Sequence, residues 1–159
     1  MLPLADITDY SVGLFIHILA AVVAFGPTFG YGLLFSATGK YPQATPAIFE
    51  GIRKVDRFLL EPGMIVLLLA GIYLMSEGNW DASEAFIAVG FIAIILLFGL
   101  QHAFFRPQGQ KAQTLAERDL RAGNTLSEEF QEIARRLSII GPLTGLIVVV
   151  TIFFMVTKP

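Results

Sequence analysis

Residues 11–36 read SVGLFIHILAAVVAFGPTFGYGLLFS, an apolar run longer than the ~20 residues an α-helix needs to cross ~30 Å of hydrocarbon. The run also carries His17, Pro27 and the glycines Gly13, Gly26, Gly30 and Gly32. Contact with lipid alone requires none of these. The pattern predicts a membrane span with one face kept small for close neighbours. That face presents His17, whose helical neighbours Gly13, Ala20, Ala21 and Ala24 are all small.

Three further apolar runs follow, at residues 58–75, 85–105 and 138–156, each near spanning length. Backbone groups cannot stay unpaired in lipid, and the alternation of a barrel strand is absent, so all four runs are helices. The composition agrees. The chain of 159 residues is 55% hydrophobic and 15% charged, against about 45–50% apolar and 25% charged in a soluble domain. The expected fold is all-α: one transmembrane domain, an antiparallel four-helix bundle with up-down connectivity. There is no cysteine, which excludes disulfides, thiolate metal sites and thiol catalysis. The start, MLPLADITDY, has no positive n-region, and the first run is too long for a cleaved signal, so it reads as an uncleaved first helix.

Lysine and arginine placement gives an orientation. The first connection holds Lys40, Arg53, Lys54 and Arg57, and the third holds Arg106, Lys111, Arg118, Arg121, Arg135 and Arg136. The second connection, SEGNWDAS, and the N-terminal tail have none. The positive-inside rule then predicts a cytoplasmic membrane protein with both termini outside. Tyr10, Tyr73 and Trp80 fall near the outer interface and Tyr41 near the inner one. The long connections read as helical. Thr45-Pro46 is a helix-start signal, and Ile48, Phe49, Ile52, Val55, Phe58 and Leu59 then recur at helical spacing opposite Glu50, Arg53, Lys54 and Arg57. A second helix is expected at residues 110–122, ended by Gly123-Asn124. A third begins at Ser127, with Phe130, Ile133 and Leu137 on its apolar side. Cytoplasmic extensions are thus expected on both even-numbered spans. The segments IRKVDRFLLEPGMIVLLLAGIYLM and IARRLSIIGPLTGLIVVVTIFFM match in outline, as a duplicated helical hairpin would.

Few residues can carry chemistry. An ionisable residue inside a span is a functional hypothesis by default, and a neutral His17 suits haem iron or copper; its plainer role is a hydrogen bond to a neighbouring helix. Glu61 falls about one turn inside the inner boundary, because a span starting at Pro62 would be too short. Glu61, His102, Arg57 and Arg106 are expected to form one polar cluster at the cytoplasmic side. Such a cluster would relay protons, seat an anionic group such as a haem propionate, or simply lock helix register. His17 lies roughly 8–10 Å below the outer boundary and His102 roughly 6 Å from the inner one, at ~1.5 Å per residue. About 15 Å along the normal then separates them, so one haem is not gripped by both. Met75 and Met155 end spans at the outer side, and with His17 they would make a Cu(I) set; their plainer role is packing. Gly26-Pro-Thr-Phe-Gly30 and Gly141-Pro-Leu-Thr-Gly145 read as small-xxx-small patterns for close helix packing, with prolines that permit kinks. There is no phosphate loop, nucleophile triad or HExxH motif, and the basic residues flank the membrane, so no nucleic-acid partner is expected. The bilayer is the partner implied; a homo-oligomer or other membrane subunits are compatible with it.

Together, His17 in LFIHILAAVVAFG, the Arg57-Phe-Leu-Leu-Glu-Pro62 opening of the second span with Ala70-Gly71 near its end, and the terminal Met155-Val-Thr-Lys-Pro159 resemble a bacterial family of predicted four-helix integral membrane proteins. That family is grouped loosely with the copper-resistance protein D domain and, more remotely, with the four-helix membrane protoporphyrinogen oxidase. In the oxidase a first-span histidine is linked to haem, and a third-span lysine is important. His17 matches the histidine; the third span here has no lysine. The resemblance implies the four-helix fold, a bacterial inner membrane, and haem b at His17. The competing expectations are a non-catalytic membrane subunit or small transport-related protein, in which polar residues only fix packing, and copper handling through His17, Met75 and Met155.

Overall fold

A computed structural model describes residues 8–123 and 125–158. The described residues fold into four long helices: α1 (Asp9–Lys40), α2 (Pro42–Glu77), α3 (Ala85–Ala122) and α4 (Glu128–Thr157). All four are long and apolar enough to cross a membrane, and the described residues form no strand. Phe15, Leu33, Ile95 and Phe153 are among many large apolar side chains left exposed. An uninterrupted apolar surface of this kind belongs in hydrocarbon, not water.

Capping starts the helices where the sequence supplies it. The Thr8 hydroxyl accepts the Ser11 N–H, and the Ser11 hydroxyl accepts the Thr8 N–H, closing a capping box at α1. Ser127 caps α4 by accepting the Phe130 N–H. Asn79, in the short α2–α3 turn, takes φ 51°, a left-handed conformation that asparagine tolerates.

Prolines shape three of the four helices. Around Pro27, α1 tightens into a 3₁₀ turn over Gly26–Gly30. The opposite happens in α2 and α3, which widen into single π turns at Asp56–Leu60 and Gln101–Phe105. There the Glu61 N–H bonds to the Asp56 carbonyl and the Arg106 N–H to the Gln101 carbonyl, five residues back. Pro62 and Pro107 follow directly. A proline ring offers no N–H and collides with the carbonyl four residues earlier; a wider turn moves that carbonyl away. Pro142, by contrast, sits inside a continuous α-helix.

The tightest helix pair is α1 against α2, packed antiparallel through small residues. A Cβ on Gly13 would lie 2.6 Å from the Tyr73 ring, and one on Gly63 would lie 2.8 Å from the Ala24 Cβ. Ala24, Phe25, Leu60, Met64, Ile94, Leu97 and Val148 close the membrane core around this contact. A second core lies beyond the spans, where Phe49 of α2, Ala112, Leu115 and Ala116 of α3, and Phe130, Ile133 and Leu137 of α4 pack together.

Two expectations need correction. The helix expected at residues 110–122 is no separate element: it continues the third span without a break, so α2, α3 and α4 all extend beyond the membrane at one end. The Gly26/Gly30 and Gly141/Gly145 patterns do not mediate close helix packing. A Cβ on Gly26, Gly30 or Gly141 would meet nothing within 4 Å, and only Gly145 has a neighbour, the Phe29 ring. Close approach instead uses Gly13, Gly63, Gly71 and Gly90. In the first pattern Gly-Pro sets backbone shape, not packing.

Candidate functional site

His17 lies in the α1–α2 seam. Its ring rests against Gly71, where a Cβ would come within 3.1 Å of Cε1 and 3.5 Å of Nδ1, and against the backbone of Leu67. Gly71 is therefore what lets the imidazole fit. The ring is half-buried, and Nδ1 is buried without a hydrogen-bond partner among the described residues. The small face expected around it is present: Gly13, Ala20 and Ala24 are buried on the same side of α1.

His102 is placed differently. It stacks on Phe98 with ring centroids 4.4 Å apart, and its Nδ1 lies 3.1 Å from the Phe98 carbonyl. A carbonyl only accepts, so Nδ1 carries the proton there and Nε2 is the nitrogen with a free lone pair. Nε2 lies 3.9 Å from Glu61 Oε1, and Arg106 Nη1 lies 3.7 Å from the same oxygen. The structure thus joins Glu61, His102 and Arg106 as the sequence led us to expect. Arg57 is not joined to them: it is exposed and makes no ion pair among the described residues.

The cluster has three members that sequence reasoning missed. Tyr31 Oη donates to Asp56 Oδ1 at 2.7 Å, the Gln101 side chain lies within reach of the same carboxylate, and Glu61 is its charged neighbour. Gln101 is buried and Asp56 half-buried. The two π turns bring these groups together. Residues five apart in an α-helix point ~140° away from each other at 3.6 residues per turn. The widened turns reduce that angle, so Asp56 with Glu61, and Gln101 with Arg106, project into the same region. A legible signal was there: Asp56-x₄-Glu61-Pro62 and Gln101-x₄-Arg106-Pro107 repeat one pattern, polar residue, four-residue gap, charged residue, proline.

The Met155 methyl occupies the notch that Gly90 leaves on α3, so Met155 packs α4 onto α3, and Met75 is half-buried at the end of α2. Among the described residues no group of three or more His, Asp or Glu side chains is arranged to hold a metal ion.

No curated protein and no solved structure matches the chain. One family model does, and it covers residues 12–159. Four apolar helices of spanning length agree with its description, and on a match of that extent the chain belongs to the predicted integral membrane protein family DUF2269.

Proposed function

We propose that this protein binds haem b or a related tetrapyrrole through His17, in a bacterial cytoplasmic membrane with both termini outside. The supporting observation is the buried Nδ1 of His17, which has no hydrogen-bond partner among the described residues and lies in a seam opened for the ring by Gly71. Keeping an unsatisfied polar atom at membrane depth costs free energy; a ligand role would remove that cost if the Nδ1–H turned to the Leu67 carbonyl while Nε2 held the iron. A neutral imidazole offers one donor and one acceptor nitrogen. With Nδ1 turned to α2, Nε2 is the nitrogen left for iron. The Leu67 carbonyl is placed to take the Nδ1–H after a small shift, which would fix the tautomer. Haem b, when bound, supplies a one-electron couple. Arg57, exposed and without an ion pair among the described residues, is available to anionic groups at the basic end of the bundle. The resemblance drawn from the sequence, to a membrane oxidase with a haem-linked first-span histidine, would give the same role, and the one-sided lysine and arginine distribution supports the orientation.

The fit of His17 against Gly71 also favours a second reading, in which the histidine only sets helix spacing in a non-catalytic membrane subunit. Copper handling gains no support from Met155, whose methyl is engaged at Gly90. An absorption spectrum separates the readings. Protein purified in mild detergent from haem-sufficient cells should show a near-stoichiometric Soret band that shifts on dithionite reduction and is lost in His17→Ala. A flat spectrum from well-folded protein would leave the packing role.

A further inference from the structure

We propose that Asp56 is a proton-exchange site inside the bundle, loaded from water at the basic end through His102 and Glu61, with Tyr31 as its inner hydrogen-bond partner. The inference does not depend on haem binding; it rests on a different part of the molecule.

Asp56 is a half-buried carboxylate without an ion-pair partner among the described residues. Of the nearby cations, His102 and Arg106 both approach Glu61, Lys54 binds Glu50 at 2.7 Å, and Arg57 is exposed and makes no ion pair among the described residues. The groups that face Asp56 are therefore Tyr31 from α1, Gln101 from α3, and Glu61 one wide turn along α2. A lone carboxylate held by neutral donors has two usable states, since it accepts from Tyr31 when ionised and can keep that bond when protonated. A fixed salt bridge would have removed the choice. The second carboxylate nearby favours a shared proton, because two like charges in one low-dielectric site resist ionising together.

The route inward follows from the tautomer of His102. Its Nδ1–H is committed to the Phe98 carbonyl, so Nε2 is free to take a proton from water; the side chain is 37% exposed. The imidazolium faces Glu61 Oε1 at 3.9 Å, which is too long for a direct hydrogen bond. Transfer therefore follows side-chain closure or runs through one bridging water. In sequence, water yields a proton to Nε2 and keeps the hydroxide. The imidazolium returns to neutral imidazole as Glu61 becomes a carboxylic acid. Glu61 returns to carboxylate as Asp56 becomes the acid. The net event is uptake of one proton by Asp56, with no electron moved. Arg106 Nη1, 3.7 Å from Glu61 Oε1, offers a counter-charge to the carboxylate that each transfer regenerates, whereas Asp56 has no ion-pair partner among the described residues.

Infrared difference spectroscopy of the whole protein in lipid nanodiscs, stepped in pH and exchanged into D₂O, tests this. Wild type should show a protonated-carboxyl C=O band that is absent in Asp56→Asn. Tyr31→Phe should shift its frequency, because the hydroxyl donor is gone. Glu61→Gln and His102→Phe should each slow its H/D exchange at least about tenfold, with amide exchange unchanged. A purely structural Asp56 would move none of these. If Asp56→Asn fails to fold, the frequency shift in Tyr31→Phe and the exchange rate in Glu61→Gln decide alone. The proposal is overturned if no carboxyl band responds to either change, or if the band exchanges at the wild-type rate without Glu61.

Discussion

The Tyr31 hydroxyl donates to Asp56 Oδ1 at 2.7 Å, tying the middle of α1 to the widened turn of α2. A hydrogen bond to a half-buried carboxyl group contributes about 0.5–1.5 kcal/mol when the acid is neutral and about 1.5–3 kcal/mol when it is ionised. Tyr31→Phe should lower stability by an amount within these ranges with helix content unchanged, read from reversible unfolding in mixed micelles. Loss of far less would mean that water replaces the hydroxyl.

The π turn in α2 follows from Pro62, and its effect on Asp56 can be measured. Pro62→Ala restores an N–H that can bond four residues back, so the turn is expected to narrow to α-helix. Asp56 and Glu61 then rotate apart. A double-mutant cycle between Tyr31→Phe and Asp56→Asn should give a coupling of about 1–2 kcal/mol in the native background and near zero with Pro62→Ala. Unchanged coupling would show that something other than the proline holds the turn.

Two glycine-to-alanine changes should differ sharply although both sites are crowded. At Gly63 the new Cβ would lie 2.8 Å from the Ala24 Cβ and 3.1 Å from its Cα, and backbone cannot yield without separating α1 from α2. Gly63→Ala should cost about 1–3 kcal/mol. At Gly90 the obstacle is the free end of the flexible Met155 side chain, which can swing aside. Gly90→Ala should cost under about 1 kcal/mol, measured by the same unfolding assay.

Asp119 closes the turn between α3 and α4, in the hydrophilic extension away from the apolar spans. Its Oδ2 accepts the Ser127 N–H at 2.8 Å, and Arg118 Nη2 reaches Oδ1 at 2.8 Å. Hydrogen bonds from the Ser127 side chain and backbone, then Arg118, hold its carboxyl down at about 2. Because the folded value lies below the unfolded one, the ionised form stabilises the turn at neutral pH. That stabilisation should fade as pH falls from the ordinary aspartate value of about 3.9 through about 2. Hydrogen exchange at Ser127 and Phe130 should quicken across that window in wild type and show no such step in Asp119→Asn.

Much of this architecture was legible in the chain. Apolar runs of spanning length dictate four helices because lipid offers no partner for an unpaired backbone group. The small face around His17 was equally plain, since residues three and four apart share a helix face whatever the neighbour is. Glu61 and His102 were expected together from depth alone, because two helices anchored at the same interface bring residues of equal depth to one level.

What tertiary structure decided was rotation about the helix axis. Depth is read from distance along the chain, but the face a side chain presents depends on the local turn, and one wide turn redirects everything beyond it. Arg57 was expected in the polar cluster and turns away, while Asp56, Tyr31 and Gln101 were not expected and turn in. The same limit governed the glycines. Composition shows where a close approach is permitted, but the partner helix determines which is used: Gly63 receives Ala24, and Gly26 and Gly30 receive nothing. Four apolar stretches of spanning length, and their positions along the chain, follow from hydrophobic length alone. Which polar groups meet inside was decided only when prolines widened two helices and packing set their mutual rotation.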